Sequence, residues 1–113
     1  MTDHITIGPA EGTWVIRAAG AILAETTRAL ALREGGMPPV IYFPREDVAM
    51  ALMERSATRS TCPWKGEASY YTVTDPAGRI RDAAWSYESP KAGCEAIAGH
   101  LAFYPTKVTI EQV

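Results

Sequence analysis

The loop Cys62–Gly66 brings the most chemically versatile side chains of the sequence into five consecutive positions, read as Cys-Pro-Trp-Lys-Gly. An ammonium beside a thiol lowers the pKa of the thiol and makes it a nucleophile, so Cys62 and Lys65 are candidates for covalent chemistry. No histidine is close to Cys62 in sequence, although His100 can approach it in the folded chain. The alternative is structural: Cys62 packs as a small apolar group, Trp64 covers the core and Lys65 forms an ion pair.

Aromatic residues from several predicted strands form the second candidate feature. Trp85 and Tyr87 are two positions apart, and the period of two in a β-strand places both on one face. Together with Tyr42, Tyr70 and Tyr104 they either line a concave site or fill the core with their hydroxyls at the surface. A pocket wall of this kind would bind a small molecule.

Charged residues near these aromatics offer further contacts. The run Arg45–Asp47 directly follows a predicted strand, where Arg45 either points into the site or, with its acidic neighbours, caps a helix. Glu88 is expected to pair with Lys65 or Arg59, or to remain a solvated charge.

The composition excludes several classes of protein. A chain of 113 residues is expected to form a single domain, residues 1–113. Its net charge of −2, without a run of either sign, disfavours nucleic-acid binding. No apolar stretch is long enough to cross a bilayer and no leader pattern is present, so we expect no membrane partner and a cytoplasmic location. Cys62 and Cys94 are therefore expected to stay reduced.

The pattern of short strands predicts a mainly β architecture with one short helix. Thr13–Ala18 and Ala21–Glu25 flank Ala19-Gly20 as a hairpin, whereas Thr26–Arg33 suits a strand or a helix. Further predicted strands are Val40–Phe43, Ala68–Thr74 and Ile80–Glu88, with a turn at Asp75–Gly78, and then Leu101–Tyr104 and Val108–Ile110. The spacing of Val48, Ala51 and Leu52 predicts the helix over residues 45–55, and Lys91–Gly99 suits a single helical turn.

The order of the motifs resembles one family of small bacterial proteins, the domain-of-unknown-function family numbered 427. The resemblance spans Trp14 to Tyr104 and rests on Val40–Val48, Cys62–Gly66, Tyr70, Ala84–Tyr87, Gly99 and Phe103–Tyr104. It implies a β-tent-like fold of two antiparallel sheets meeting at an angle, similar to several zinc-containing ligand and peptide readers. Because the only thiols and imidazoles are Cys62, Cys94, His4 and His100, we expect no structural zinc and no cofactor.

Three functions remain open from the sequence. The first is a binding domain for a small polar or anionic molecule, with Tyr42, Arg45, Cys62, Trp64, Lys65, Tyr70, Trp85, Tyr87 and Tyr104 as candidate contacts. The second is an enzyme that uses Cys62, or a Tyr/Lys/Glu acid–base group, for acyl or nucleotidyl transfer. The family is sometimes labelled a nucleotidyltransferase, but the sequence has no Gly-rich phosphate loop and no close aspartate pair for magnesium. The third is an interaction module or homodimer that uses a sheet edge or an aromatic patch.

Overall fold

The computed structural model describes residues 4–18 and 20–113, and these residues are mainly β, as the sequence predicts. Within these ranges the helical segments are three single turns of 3₁₀ helix, Arg45–Asp47, Met50–Leu52 and Glu95–Ile97. None is long and apolar enough to cross a bilayer. The ten strands are β1 Ile5–Pro9, β2 Trp14–Ala18, β3 Ala21–Thr26, β4 Leu30–Glu34, β5 Val40–Tyr42, β6 Met53–Cys62, β7 Gly66–Asp75, β8 Gly78–Ser86, β9 Ala102–Phe103 and β10 Thr109–Gln112.

The described strands form three antiparallel sheets, where the family resemblance implies two. The first sheet has the order β1-β4-β5, the second β10-β2-β3 and the third β6-β7-β8-β9. The first and second sheets are separate because β1 pairs with β4 and not with β2 or β3, which are nearer in the sequence. The C-terminal strand β10 pairs with β2 in the second sheet. Single bridges connect the sheets: Phe43 pairs with Leu101 beyond the end of β5, and Ala24 on β3 pairs with Val48.

Both predicted hairpins are present, and the segment for which a strand and a helix were open contains a strand. In the β2–β3 hairpin Ala19 lies outside the described residues, and Gly20 has a φ of +80°, which glycine adopts without strain. The β7–β8 hairpin turns at residues 75–78, as predicted. The segment Thr26–Arg33, for which a strand and a helix were both open, contributes β4, because Leu32 is buried between β1 and β5.

The predicted helix from Arg45 to Arg55 is wrong. Val48 has an extended backbone (φ −107°, ψ 139°) and is buried, and the N–H of Ala49 donates to the carbonyl of Leu23 at 2.7 Å. Pairing with β3 therefore takes the hydrogen bond that a continuous helix would need, and from Met53 the chain continues as β6. Tertiary pairing overrides a helical spacing of only three apolar residues. By contrast, the helical turn predicted within Lys91–Gly99 is present as Glu95–Ile97, with Ile97 buried.

Two principal clusters of apolar side chains hold the sheets together. The larger cluster packs around Phe43 and Phe103, whose rings meet edge to face at 5.9 Å between centroids. The second cluster packs around Tyr42, Tyr87 and Ile97. Since Tyr42 and Phe43 are adjacent on one strand and point to opposite faces, β5 and its extension join the two clusters.

Candidate functional site

A cavity of about 260 Å³ opens between the first and third sheets. Six of the nine candidate contacts line it: Tyr42, Lys65, Tyr70, Trp85, Tyr87 and Tyr104. The other lining residues were not selected from the sequence: Leu32, Glu34, Met37, Pro38 and Val40. The volume lies below that of pockets for drug-sized molecules and suits a ligand with about one ring.

Strand periodicity explains how the two sheets present these side chains. On the first sheet, Leu32 and Glu34 are two positions apart on β4, and Leu32 pairs with Val40 of β5. On the third sheet, Tyr70 of β7 lies directly opposite Trp85 of β8. Cross-strand neighbours of this kind share one face, so each sheet supplies one wall.

The aromatic wall is organised around Trp85. Its indole N–H donates to the Tyr42 hydroxyl at 3.3 Å, and the two rings lie nearly perpendicular, with centroids 6.4 Å apart. On its other side the Trp85 ring lies 4.6 Å from that of Tyr104 at 45°. Trp85 therefore connects the first sheet to the segment that follows β9.

Tyr42, Tyr87 and Tyr104 are neutral hydrogen-bond donors at the cavity. Burial raises the pKa of Tyr42 and of Tyr87 far above the ordinary value. Burial also raises the pKa of Tyr104 to about 12, and the neighbouring Tyr70 hydroxyl adds to the shift. Among the described residues the hydroxyl of Tyr87 has no hydrogen-bond partner, which leaves it available to an acceptor in the cavity.

Lys65 forms an ion pair, as its structural alternative predicts, but with Glu34. Glu88, which was expected to pair with Lys65 or Arg59 or to remain solvated, pairs with Arg45 instead. The Nζ–Oε1 distance is 2.7 Å, and the Lys65 side chain is only 12% exposed. Burial alone would lower the pKa of Lys65, but Glu34 and the nearby Cys62 together raise it. The hydrogen bond from Lys65 in turn lowers the pKa of Glu34. Together these two residues contribute no net charge to the cavity.

The ion pair of Lys65 with Glu34 should make the free energy of unfolding depend on pH. A lowered carboxyl pKa stabilises the fold above the unfolded value of about 4.3, and the contribution is lost as pH falls through the folded pKa. At pH 7 we expect Glu34→Gln to lower the free energy of unfolding by about 1–2 kcal/mol, and we expect this deficit to shrink below about pH 4. Urea unfolding of both proteins across this range measures it. Glu54→Gln, in an exposed pair with Arg79, is the matched control and should cost less than about 0.5 kcal/mol. A deficit that grows on acidification would contradict the assignment.

Arg45 lies away from the cavity, in a network that joins three segments. Its guanidinium donates to the Gly99 carbonyl at 3.0 Å, to the Tyr71 hydroxyl at 3.3 Å and to the Glu88 carboxylate at 2.7 Å. The Tyr71 hydroxyl in turn donates to the same oxygen of Glu88 at 3.0 Å. The capping role expected for Arg45–Asp47 does not occur, because this segment is a single 3₁₀ turn without a side-chain cap.

The rest of the Cys62–Gly66 loop does not line the cavity. Cys62 is half-buried at the end of β6, and the exposed Trp64 packs edge-on against His4, with ring centroids 5.0 Å apart. Cys94 is fully buried, and burial raises the pKa of its thiol. Both thiols are free, and the His100 ring lies against the carbonyl of Ala98. Across residues 4–18 and 20–113, no three His, Cys, Asp or Glu side chains are grouped as metal ligands would be.

The lining residues that were not predicted from the sequence come from β4, β5 and the turn between them. Glu34 shares the alternation of Leu30 and Leu32, so its side was predictable once β4 was taken as a strand. Met37 and Pro38 lie in the turn between the strands, where no periodicity indicates an orientation.

The geometry defines a mainly β protein with an open, tyrosine-walled cavity between two of its sheets. The family model described as a domain of unknown function, DUF427, matches residues 6–113, and the chain belongs to this family. This confirms the resemblance given by the motifs. No curated protein matches the chain.

Proposed function

We propose that the protein binds a small polar molecule with one aromatic ring in the cavity between the first and third sheets. The observation that carries this proposal is the convergence of Tyr42, Tyr70, Trp85, Tyr87 and Tyr104 on one open space. Aromatic walls with a few polar groups are typical of small-molecule sites.

The charges favour a polar ligand over the anionic one that the sequence left open. Lys65 is the only cationic residue among the described lining residues, and Glu34 neutralises it at 2.7 Å. An anion would have to compete with that carboxylate. A neutral carbonyl or amide instead accepts from the Tyr87 hydroxyl without breaking the pair.

Benzamide, which combines one ring with a carbonyl acceptor and an amide donor, is a suitable probe. We expect it to perturb the backbone amide resonances of β4, β5, β7 and β8 in a two-dimensional NMR titration, and we expect benzoate to bind more weakly. Trp85→Ala should weaken benzamide binding by about tenfold, which corresponds to the loss of one aromatic contact. Tyr87→Phe, which keeps the ring and removes only the hydroxyl, should weaken it by about two- to tenfold.

Trp64→Ala is the matched control, because Trp64 is outside the cavity and 36% exposed. It should leave benzamide binding unchanged. The proposal is overturned if saturating benzamide leaves the cavity resonances unmoved, or if Trp64→Ala has the same effect as Tyr87→Phe and Trp85→Ala.

A further inference from the structure

A second, polar cleft adjoins the cavity on the third sheet. It has a volume of about 500 Å³ and is lined by Thr58, Tyr70, Asp82, Tyr104, Thr106 and Lys107. Tyr70 and Tyr104 also line the cavity, so these two rings form a wall common to both spaces.

Irregular strand pairing positions the Asp82 carboxylate in this cleft. The register of β6 against β7 shifts between Arg55 and Arg59, and that of β7 against β8 shifts between Tyr71 and Val73. Asp82 lies at this level with a φ of +47°, the only positive φ of a non-glycine residue in the described ranges. Bulges re-aim side chains next to functional sites, and rare backbone conformations cluster there.

Two hydroxyls hold the carboxylate in place. Ser56 donates to one Asp82 oxygen and Thr58 to the other, each at 2.7 Å. These hydrogen bonds lower the pKa of Asp82, so the group is ionised at neutral pH. Each carboxylate oxygen keeps a further lone pair for another donor. No basic side chain of the described residues lies within 4 Å of the carboxylate to form an ion pair.

The Lys107 ammonium in the same cleft is also held by neutral groups. It donates to the Arg81 carbonyl at 2.7 Å and to the Asp82 carbonyl at 3.3 Å, and it lies 5.5 Å from the centre of the Tyr104 ring. It has three donors, and in the part of the chain that the structure describes no carboxylate pairs with it. The positive charges of Arg81 and Lys107 also help to lower the pKa of Asp82, although no salt bridge within the described residues joins them to it. The cleft therefore presents one negative and one positive group, and neither forms a direct ion pair with a described residue.

We propose that this cleft binds the zwitterionic head group of a free α-amino acid, with the ammonium at Asp82 and the carboxylate at Lys107. An aromatic side chain then lies over the Tyr70–Tyr104 wall toward the cavity. The head-group contacts do not depend on the cavity, whereas the preference for an aromatic side chain rests on the proposed function.

Calorimetric titration with three matched probes tests the assignment: L-phenylalanine, phenethylamine, which lacks the carboxylate, and 3-phenylpropionate, which lacks the ammonium. The intact protein should bind L-phenylalanine about tenfold or more tightly than either truncated probe, as expected for one charged hydrogen bond lost. Asp82→Asn should weaken L-phenylalanine and phenethylamine about tenfold and spare 3-phenylpropionate. Asparagine tolerates the positive φ, so the fold should survive. Lys107→Met should weaken L-phenylalanine and 3-phenylpropionate about tenfold and spare phenethylamine.

Arg81→Met is the matched control, because it removes the same charge from the neighbouring sequence without lining the cleft. It should change the affinity for all three probes little, because Arg81 acts on Asp82 only through space and forms no hydrogen bond or salt bridge with its carboxylate. The proposal is overturned if the intact protein does not prefer L-phenylalanine, or if Asp82→Asn affects phenethylamine and 3-phenylpropionate alike. If the head-group proposal fails in this way but benzamide still binds, the proposed function of the cavity is retained. Conversely, if the protein distinguishes the three amino-acid probes as expected but does not bind benzamide, only the proposed function of the cavity is overturned.

Discussion

Replacing Phe43 with alanine should lower the free energy of unfolding by about 3–5 kcal/mol, the range for truncating a buried phenylalanine. Phe43 is fully buried, its backbone bridges to Leu101, and its ring packs edge-on against Phe103. Truncation leaves a void at the junction of the first and third sheets, where neighbouring strands cannot collapse without breaking that bridge. Urea unfolding monitored by tryptophan fluorescence measures the change in the free energy of unfolding.

Ile22→Ala is the control for this prediction, because Ile22 is 48% exposed on β3. Its loss should cost less than about 0.5 kcal/mol, as for most surface substitutions. If Phe43→Ala costs as little as Ile22→Ala, the junction does not hold the sheets together.

Replacing Arg45 with methionine should lower the free energy of unfolding by about 2–3 kcal/mol and leave benzamide affinity unchanged. The substitution keeps much of the side-chain length but removes the donors to Gly99, Tyr71 and Glu88. Charged hydrogen bonds contribute more than neutral ones, and Glu88 would lose its cation. Unfolding in urea gives the stability, and the NMR titration with benzamide gives the binding.

Arg17→Met provides the comparison, since Arg17 pairs with Glu111 at 2.6 Å but both side chains are well exposed, at 50% and 41%. An exposed pair of this kind is worth about 0–1 kcal/mol. Equal stability losses in the two variants would show that the Arg45 network is no stronger than a surface pair. If Arg45→Met instead abolishes benzamide binding, Arg45 contributes to the ligand site, as the sequence left open.

The fold was predictable where local signals agree with the pairing partners. In the β7–β8 hairpin, β-branched and aromatic residues flank a turn with proline and glycine, and both strands follow. The prediction of a helix over residues 45–55 failed because, of the three apolar residues on which it rested, only Val48 is buried, whereas Leu52 is half-buried and Ala51 is exposed. Val48 is buried by a bridge to β3, a contact across 24 residues that no local window contains.

The candidate site was predictable to the extent that it follows strand periodicity. The period of two placed Trp85 and Tyr87 together, and both line the cavity. The partner of Lys65 was not predictable, because Glu34 lies 31 residues away on another sheet. Arg45 was selected for its charge next to a strand, yet the side chain turns toward Glu88, a choice that depends on where Gly99 and Tyr71 lie in the fold.

Under the proposed function, the position of the cavity between two sheets would separate the residues that touch the ligand from those in the core that set the distance between the two walls. Tyr42 belongs to one wall and Trp85 to the other, and the two walls are joined by the hydrogen bond between these residues and, in the core behind them, by the edge-to-face contact of Phe43 with Phe103. A change of side-chain volume at Phe43 or Phe103 would therefore widen or narrow the aperture with every lining residue unaltered. If the cavity binds the proposed ligand, core substitutions would thus change which ligand fits while the lining residues stay the same.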